Sequence, residues 1–247
     1  MKVLGIDIGG SAFKGAPVDT KTGKLLAERH RVEIDAPCPT AQGLAAAREI
    51  ARHFNWKGPV GIGFPSVIQG NRIGAVGNLG HNWERKDGAA LFGRATGGKV
   101  RLFNDADAAG LAEMRFGAGK GHQGSVLMLT FGTGIGSALF YQGRLMPNIE
   151  FGHIPWKGKP IERFASAAVR KRRGLSWREW ALRVNVFFQV AERLCSPDLI
   201  IIGGGVSKKS EKWFKYLKAR ARIVPARMNN DAGIVGAALA WEQTGRS

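Results

Sequence analysis

Residues 102–110 read Leu-Phe-Asn-Asp-Ala-Asp-Ala-Ala-Gly, and no stretch of this chain restricts its fold more. An apolar run that ends in Asn104 and Asp105 and passes at once into small residues predicts a buried strand feeding a helix. The two polar side chains then stand at the strand's carboxyl edge. A carboxylate fixed there is well placed to take a proton from a hydroxyl. Asp107, two residues on, suits a capping or first-turn role in that helix.

Around this segment, apolar patterning predicts strands over 3–8, 13–19, 25–34, 60–64, 100–103 and 199–202, with strand, glycine turn and strand repeated over 125–144. Helical spacing is expected over 41–54, 106–116 and 177–194. A basic amphipathic helix is expected over 210–221, with Trp213, Phe214 and Leu217 on its apolar face, and a small-residue helix over 231–241. Strands and helices mixed in this order imply an α/β protein of two similar halves.

Lys and Arg number 37 against 19 acidic residues, a net charge of +18. Such a field attracts polyanions: nucleic acid, an anionic membrane or a long phosphate polymer. A generally basic background is the plainer reading. Cys38 and Cys195 show no metal-ligand spacing, so neither structural zinc nor a disulfide framework is expected. Asp7 interrupts the first apolar run, and no segment approaches the roughly 18 apolar residues of a spanning helix. A cytoplasmic protein is expected.

Two nucleotide motifs almost occur. Residues 93–100 spell a Walker loop until Val100 replaces the magnesium-binding hydroxyl, and residues 119–124 spell GxGxxG. Both run from helix into strand, the wrong order for those folds. The glycine hairpins are better anion sites. At Gly9, Gly10 and Ser11 missing side chains let backbone N–H groups approach an anion, with Ser11 and Lys14 adding donors and Asp7 placed to hold Mg2+ through water. Gly132, Thr133 and Gly134 form a second such turn, and Gly203, Gly204 and Gly205 form a third cluster after an apolar strand. Two anion sites and one positioned base suggest a kinase acting on a sugar hydroxyl.

Together these segments resemble the ROK family of sugar kinases and, within it, the polyphosphate-using glucokinases, nearly end to end. The resemblance implies an actin-like/hexokinase-type (ribonuclease H-like) α/β fold of two domains, with the active site in the cleft between them. Residues 1–105 and 233–247 would form the small domain and 106–232 the large one. Asp105 would be the general base. Ser66, Asn78, Asn104, Glu150, His153 and Glu162 would contact the sugar. Asp7, Gly9, Gly10, Ser11, Lys14, Gly132, Thr133, Gly134, Gly204, Gly205, Lys208 and Lys209 would contact the donor.

The implied reaction is phosphorylation of the 6-hydroxyl of glucose or mannose by polyphosphate, ATP or both, with Mg2+. Residues 154–162 lack the cysteines of the zinc loop that many family members carry, so zinc is not expected. No helix-turn-helix domain precedes the first phosphate strand, which argues against specific nucleic-acid binding, and no membrane partner is expected. A homodimer is common in the resembled family. An ATP-only kinase for another hexose and a non-catalytic polyanion-binding protein are the competing readings. Arg170, Lys171, Arg172 and Arg173, with Lys208 and Lys209, are the basic residues considered for a polyphosphate track.

Overall fold

The computed structural model describes residues 1–77 and 79–243. The chain forms two compact units, Met1–Ala112 with the chain from Asp231 onward, and Glu113–Asn230.

In the first unit, β1 (Lys2–Ile8) and β2 (Ala12–Asp19) form an antiparallel hairpin in register from Lys2 opposite Asp19 to Ile8 opposite Phe13. The edge of β2 is covered by β3 (Lys24–Leu25) and β4 (His30–Glu33) rather than by one strand over 25–34. Pro17 explains the break. Its carbonyl accepts from Leu26 N–H at 2.8 Å, but its ring nitrogen offers the edge strand no donor.

Helix α1 (Thr40–His53) buries Ala46, Ala47, Ile50 and Ala51 on one stripe. It is followed by β5 (Val60–Phe64), a two-stranded ribbon of β6 (Ile68–Gln69) and β7 (Arg72–Ile73), and α2 (Gly88–Thr96). Then β8 (Val100–Asn104) runs directly into α3 (Asp105–Phe116). The main sheet has the order β3-β2-β1-β5-β8, with β4 also on β2. Strands β1, β5 and β8 are parallel, so their carboxyl ends share one edge.

Leu4, Ile6, Ile62 and Phe64 join Ile50, Trp83 and Phe92 in one buried cluster. Alternate residues of β1 and β5 face the other way, and there the closing helix Ala232–Leu239 lies against them. A Cβ at Gly5 or at Gly61 would collide with the backbone carbonyl of Ile234 or Ala237. Glycine at these positions lets helix and sheet meet backbone to backbone.

The second unit repeats the opening theme. Strands β9 (Ser125–Phe131) and β10 (Ile135–Tyr141) form a hairpin, extended by β11 (Arg144–Met146). A small ribbon of β12 (Pro155–Trp156) and β13 (Lys159–Pro160) leads into α4 (Glu162–Ala165) and α5 (Ala167–Arg172). Helix α6 (Trp177–Cys195) opens on a capping box in which Ser176 and Glu179 satisfy each other's backbone N–H groups. Strands β14 (Leu199–Gly203) and β15 (Arg222–Pro225) complete the order β11-β10-β9-β14-β15.

The helix expected over 210–221 does not form. The chain makes short 3-10 turns at Ser207–Lys212 and Phe214–Tyr216 instead. Side chains of α6 satisfy the backbone groups that a helix would have paired internally. Asn185 donates to Tyr216 O at 3.0 Å and accepts from Lys218 N–H at 2.8 Å. Glu192 Oε1 accepts from Arg220 and Ala221 N–H at 2.7 and 2.8 Å. Trp213, wholly buried, sits 4.4 Å from the Trp180 ring and donates to Val206 O. Tertiary contacts override the amphipathic pattern here.

Both near-miss nucleotide motifs lie between a helix and a strand, as their order in the sequence predicts. Gly97, at φ +74, ends α2 before β8, and residues 119–124 link α3 to β9.

Candidate active site

In the first unit, the parallel register sets Asp7 beside Gly63, Gly63 beside Phe103 and Phe64 beside Asn104. The sequence-predicted residues of β1 and β8 are thereby gathered at the carboxyl edge, where open α/β sheets bind ligands. Asn104, not Asp107, caps α3: its Oδ1 accepts from Ala106 and Asp107 N–H at 2.8 and 3.0 Å. Asp107 occupies the first turn and is buried. Asp105 Oδ1 also accepts from Ala106 N–H, at 2.8 Å, which holds a half-buried carboxylate at the helix start.

Ser66 follows β5. Its hydroxyl lies 2.9 Å from Ala75 O and 3.2 Å from Val67 O, so its single proton is committed to carbonyls. Ser66 therefore offers a ligand only lone pairs. Its own carbonyl accepts from Asn104 Nδ2 at 3.2 Å, joining the β5 and β8 ends. Asn78 lies outside the described residues.

The first hairpin is closed by Gly9 N–H donating to Ala12 O at 3.0 Å, leaving Gly10 and Ser11 exposed. Lys14 stands directly opposite Asp7. Burial pushes the Asp7 carboxyl above its ordinary value, and the nearby Lys14 charge opposes that shift. A Cβ at Gly233 would lie 2.6 Å from the Asp7 carboxyl carbon, so that glycine makes room for it. Among the described residues no cluster of three or more His, Cys, Asp or Glu is shaped to hold a metal. A single carboxylate still suits Mg2+, which keeps most of its waters and takes its other ligands from donor phosphates.

In the second unit, Gly132 N–H donates to Gly134 O at 3.0 Å, closing the turn around Thr133. Glu162 Oε2 accepts from Ile135 N–H at 3.1 Å and lies against Gly134. Glu150 precedes and His153 ends a 3-10 turn at Phe151–His153, with His153 Nδ1 3.8 Å from Glu150 Oε2. A Cβ at Gly152 would collide with Ile135 O, so this turn seats directly on β10. Glu150, His153, Glu162 and the second hairpin are thus one connected cluster.

Gly204, at φ +81, lies so close to the Phe131 backbone that no Cβ fits there. The third glycine cluster is therefore fixed against the strand leading into the second hairpin. Ser207 N–H and Oγ both donate to Gly204 O, at 3.1 and 2.8 Å. Gly205 has open space around it, and Lys208 and Lys209 are exposed on the 3-10 turn that follows.

The ROK family profile matches residues 3–169 of this chain. The chain belongs to the ROK family. It is 41% identical over 238 residues to the polyphosphate glucokinase of Mycobacterium tuberculosis strain H37Rv, covering 96% of this chain and 90% of that protein. Its structure is similar to that of the inorganic polyphosphate/ATP-glucomannokinase from Arthrobacter sp. strain KM, with TM-score 0.94, 43% identity and coverage of 98% and 99% of the two chains. A ROK family glucokinase from Streptomyces griseus shares the fold at TM-score 0.78 and 24% identity, over 96% and 98% of the chains. The fold is the actin-like/hexokinase type.

Within this ROK chain, sequence reasoning missed Ser137 and Glu113. Ser137 Oγ donates to Ile149 O and accepts from Phe151 N–H at 2.8 Å, pinning the segment that carries Glu150. A polar residue at an inward position of an apolar strand was its signal. Glu113, wholly buried, accepts from the N–H groups of Ala118, Arg227 and Met228 at 2.8, 3.1 and 2.7 Å. Two of those partners, Arg227 and Met228, lie over a hundred residues away, so no local pattern announces the whole set.

Proposed function

We propose that this protein transfers a phosphoryl group from inorganic polyphosphate or ATP to the 6-hydroxyl of glucose, with mannose as a second acceptor. One observation carries the reading: a chain that matches polyphosphate-using sugar kinases almost end to end starts a helix with Asp105 at the carboxyl end of the parallel strand β8. Asp105 takes the hydroxyl proton as the bond to phosphorus forms. Asn104 fixes the helix start that holds Asp105, and Ser66 accepts from a sugar hydroxyl. In the second unit Glu150, His153 and Glu162 bind ring hydroxyls, while the Thr133 and Gly134 N–H groups of the turn that Gly132 closes, together with the Gly204–Gly205 turn, cradle donor oxygens.

Positioning and charge neutralisation carry almost all of phosphoryl-transfer catalysis. On the donor side Gly10 and Ser11 supply N–H groups, whereas the Gly9 N–H is committed to Ala12 O and Gly9 serves to close the turn. Lys14 supplies charge, and Lys208 and Lys209 extend the basic surface. Asp7 would hold Mg2+ through water. When bound, that ion shields the charge of the donor oxygens. The first unit serves as one domain of the kinase and the second as the other. The same reading places the enzyme in the cytoplasm, as a homodimer without a nucleic-acid partner. Among the described residues no helix is long and apolar enough to cross a membrane.

The test is a matrix of glucose, mannose, fructose and N-acetylated amino sugars against ATP and polyphosphate, with hexose 6-phosphate measured. Formation of glucose 6-phosphate from both donors is expected. Transfer from ATP alone would reduce the protein to an ATP hexokinase.

A further inference from the structure

A pocket of about 500 Å³ opens in the second unit, lined by Lys159, Pro160, Arg163, Arg172 and Arg173. Four of its five lining residues are cations. They come from three separate elements: Lys159 from β13, Arg163 from α4, and Arg172 and Arg173 from the end of α5. A solvated basic helix face would instead spread along one element. Among the described residues, none of the four forms an ion pair within 4 Å. The Arg173 charge is also felt by Arg183, whose affinity for its proton is lowered by burial first and by Arg173 second. All four side chains are exposed. Like charges lining one pocket repel one another, and an anion among them relieves that repulsion.

The pocket is tied to the second glycine hairpin through the chain. Glu162, beside Arg163 on α4, bonds Ile135 at the hairpin. Ala168 N–H, in the first turn of α5, donates to Gly132 O at 3.0 Å. The six residues of α5 rise about 9 Å from that end to the arginines at the other. Neighbouring basic residues are used differently. The Arg170 guanidinium lies 3.6 Å over the Trp177 ring and belongs to the packing of α6. Of the basic run at 170–173, only Arg172 and Arg173 line the pocket.

We propose that this pocket is a distal anion subsite that holds a downstream stretch of a linear polyphosphate chain, about one short helix away from the glycine turn. The inference rests on the donor reading above and adds to it the place where the chain is held. A polyphosphate carries charge on every unit and gains from cations beyond the transfer point. A nucleotide ends in an uncharged nucleoside and gains little there.

Two double variants on different elements test this: Arg172→Ala with Arg173→Ala, and Lys159→Ala with Arg163→Ala. Binding of long-chain polyphosphate is measured by equilibrium dialysis across a salt series, together with KM for polyphosphate and for ATP. Each pair should lower the slope of log affinity against log salt by about two, roughly one per lost phosphate contact. The ratio of polyphosphate KM to ATP KM should rise about tenfold, and the effect should fade for chains of a few units. Unchanged slope and ratio in both pairs, in a protein that transfers from polyphosphate, would overturn the subsite and leave the donor reading intact. Steep, variant-sensitive polyphosphate binding in a protein that transfers only from ATP would support the subsite and overturn the donor reading.

Discussion

The carboxylate of Glu162 accepts the backbone N–H of Ile135 at 3.1 Å, so a side chain in the first turn of α4 closes the second glycine hairpin. The same carboxylate lies against Gly134, where a Cβ would collide with it. Hairpin shape and the position of Glu162 are therefore one variable. A residue proposed to bind sugar also holds the turn proposed to bind the donor.

That coupling separates two substitutions. Glu162→Gln keeps an acceptor for Ile135 N–H and should raise mainly the sugar KM. Glu162→Ala leaves that N–H without its acceptor, at a cost of about 1–3 kcal/mol, and should raise both the sugar and the donor KM. Steady-state kinetics with each substrate varied decide it. Equal effects of the two variants on the donor would refute the coupling.

Asp105→Asn retains the shape of the side chain and removes its basicity. Turnover should fall by about two to four orders of magnitude while glucose binding, followed by calorimetry, survives. Near-normal turnover would remove Asp105 from the role of base.

Ser137→Ala deletes two bonds that pin residues 149–151 without touching any group proposed to meet substrate. Stability should drop by about 1–3 kcal/mol in urea unfolding. The sugar KM should rise more than the donor KM, because Glu150 loses its support. A stability loss with both constants unchanged would show that the Ser137 bonds do not position the site.

Asp7 carries a pH signature. Its carboxyl titrates above the ordinary 3.8 because burial disfavours the charge. The folded state thus holds this proton more tightly than the unfolded chain does. Stability from this group is present at low pH and is lost as pH rises from about 3.8 through the raised folded value. Asp7→Asn should therefore raise the Tm near neutral pH, the gain vanishing in acid, while activity with Mg2+ falls. A lower Tm at neutral pH would mean that the Lys14 attraction outweighs burial.

Periodicity and turn chemistry made much of this architecture legible. Strands at β1, β5, β8, β9 and β14 and the helices α1 and α6 lie where alternation or helical spacing placed them, because each buries a face that its own residues define. What failed was non-local. The missing donor of Pro17 split the edge strand over 25–34, and Asn185 and Glu192 drew residues 216–221 out of helix. In the site, Asn104 and Asp105 could be read because strand and helix start are adjacent in the chain. The pocket of Lys159, Arg163, Arg172 and Arg173 could not, since β13, α4 and α5 must fold before those charges meet. Only two of its members lay within the basic runs that the sequence singles out.

The closing helix has a consequence for synthesis on the ribosome. The second unit is continuous over Glu113–Asn230, whereas the first needs residues from Asp231 onward to cover β1 and β5 at Gly5 and Gly61. Domains generally fold as units, the N-terminal one first, while the chain is still being made. Here that order is inverted. The first sheet to emerge must wait, with one face uncovered, until the helix Ala232–Leu239 has been translated, and the later-made unit is the first able to finish.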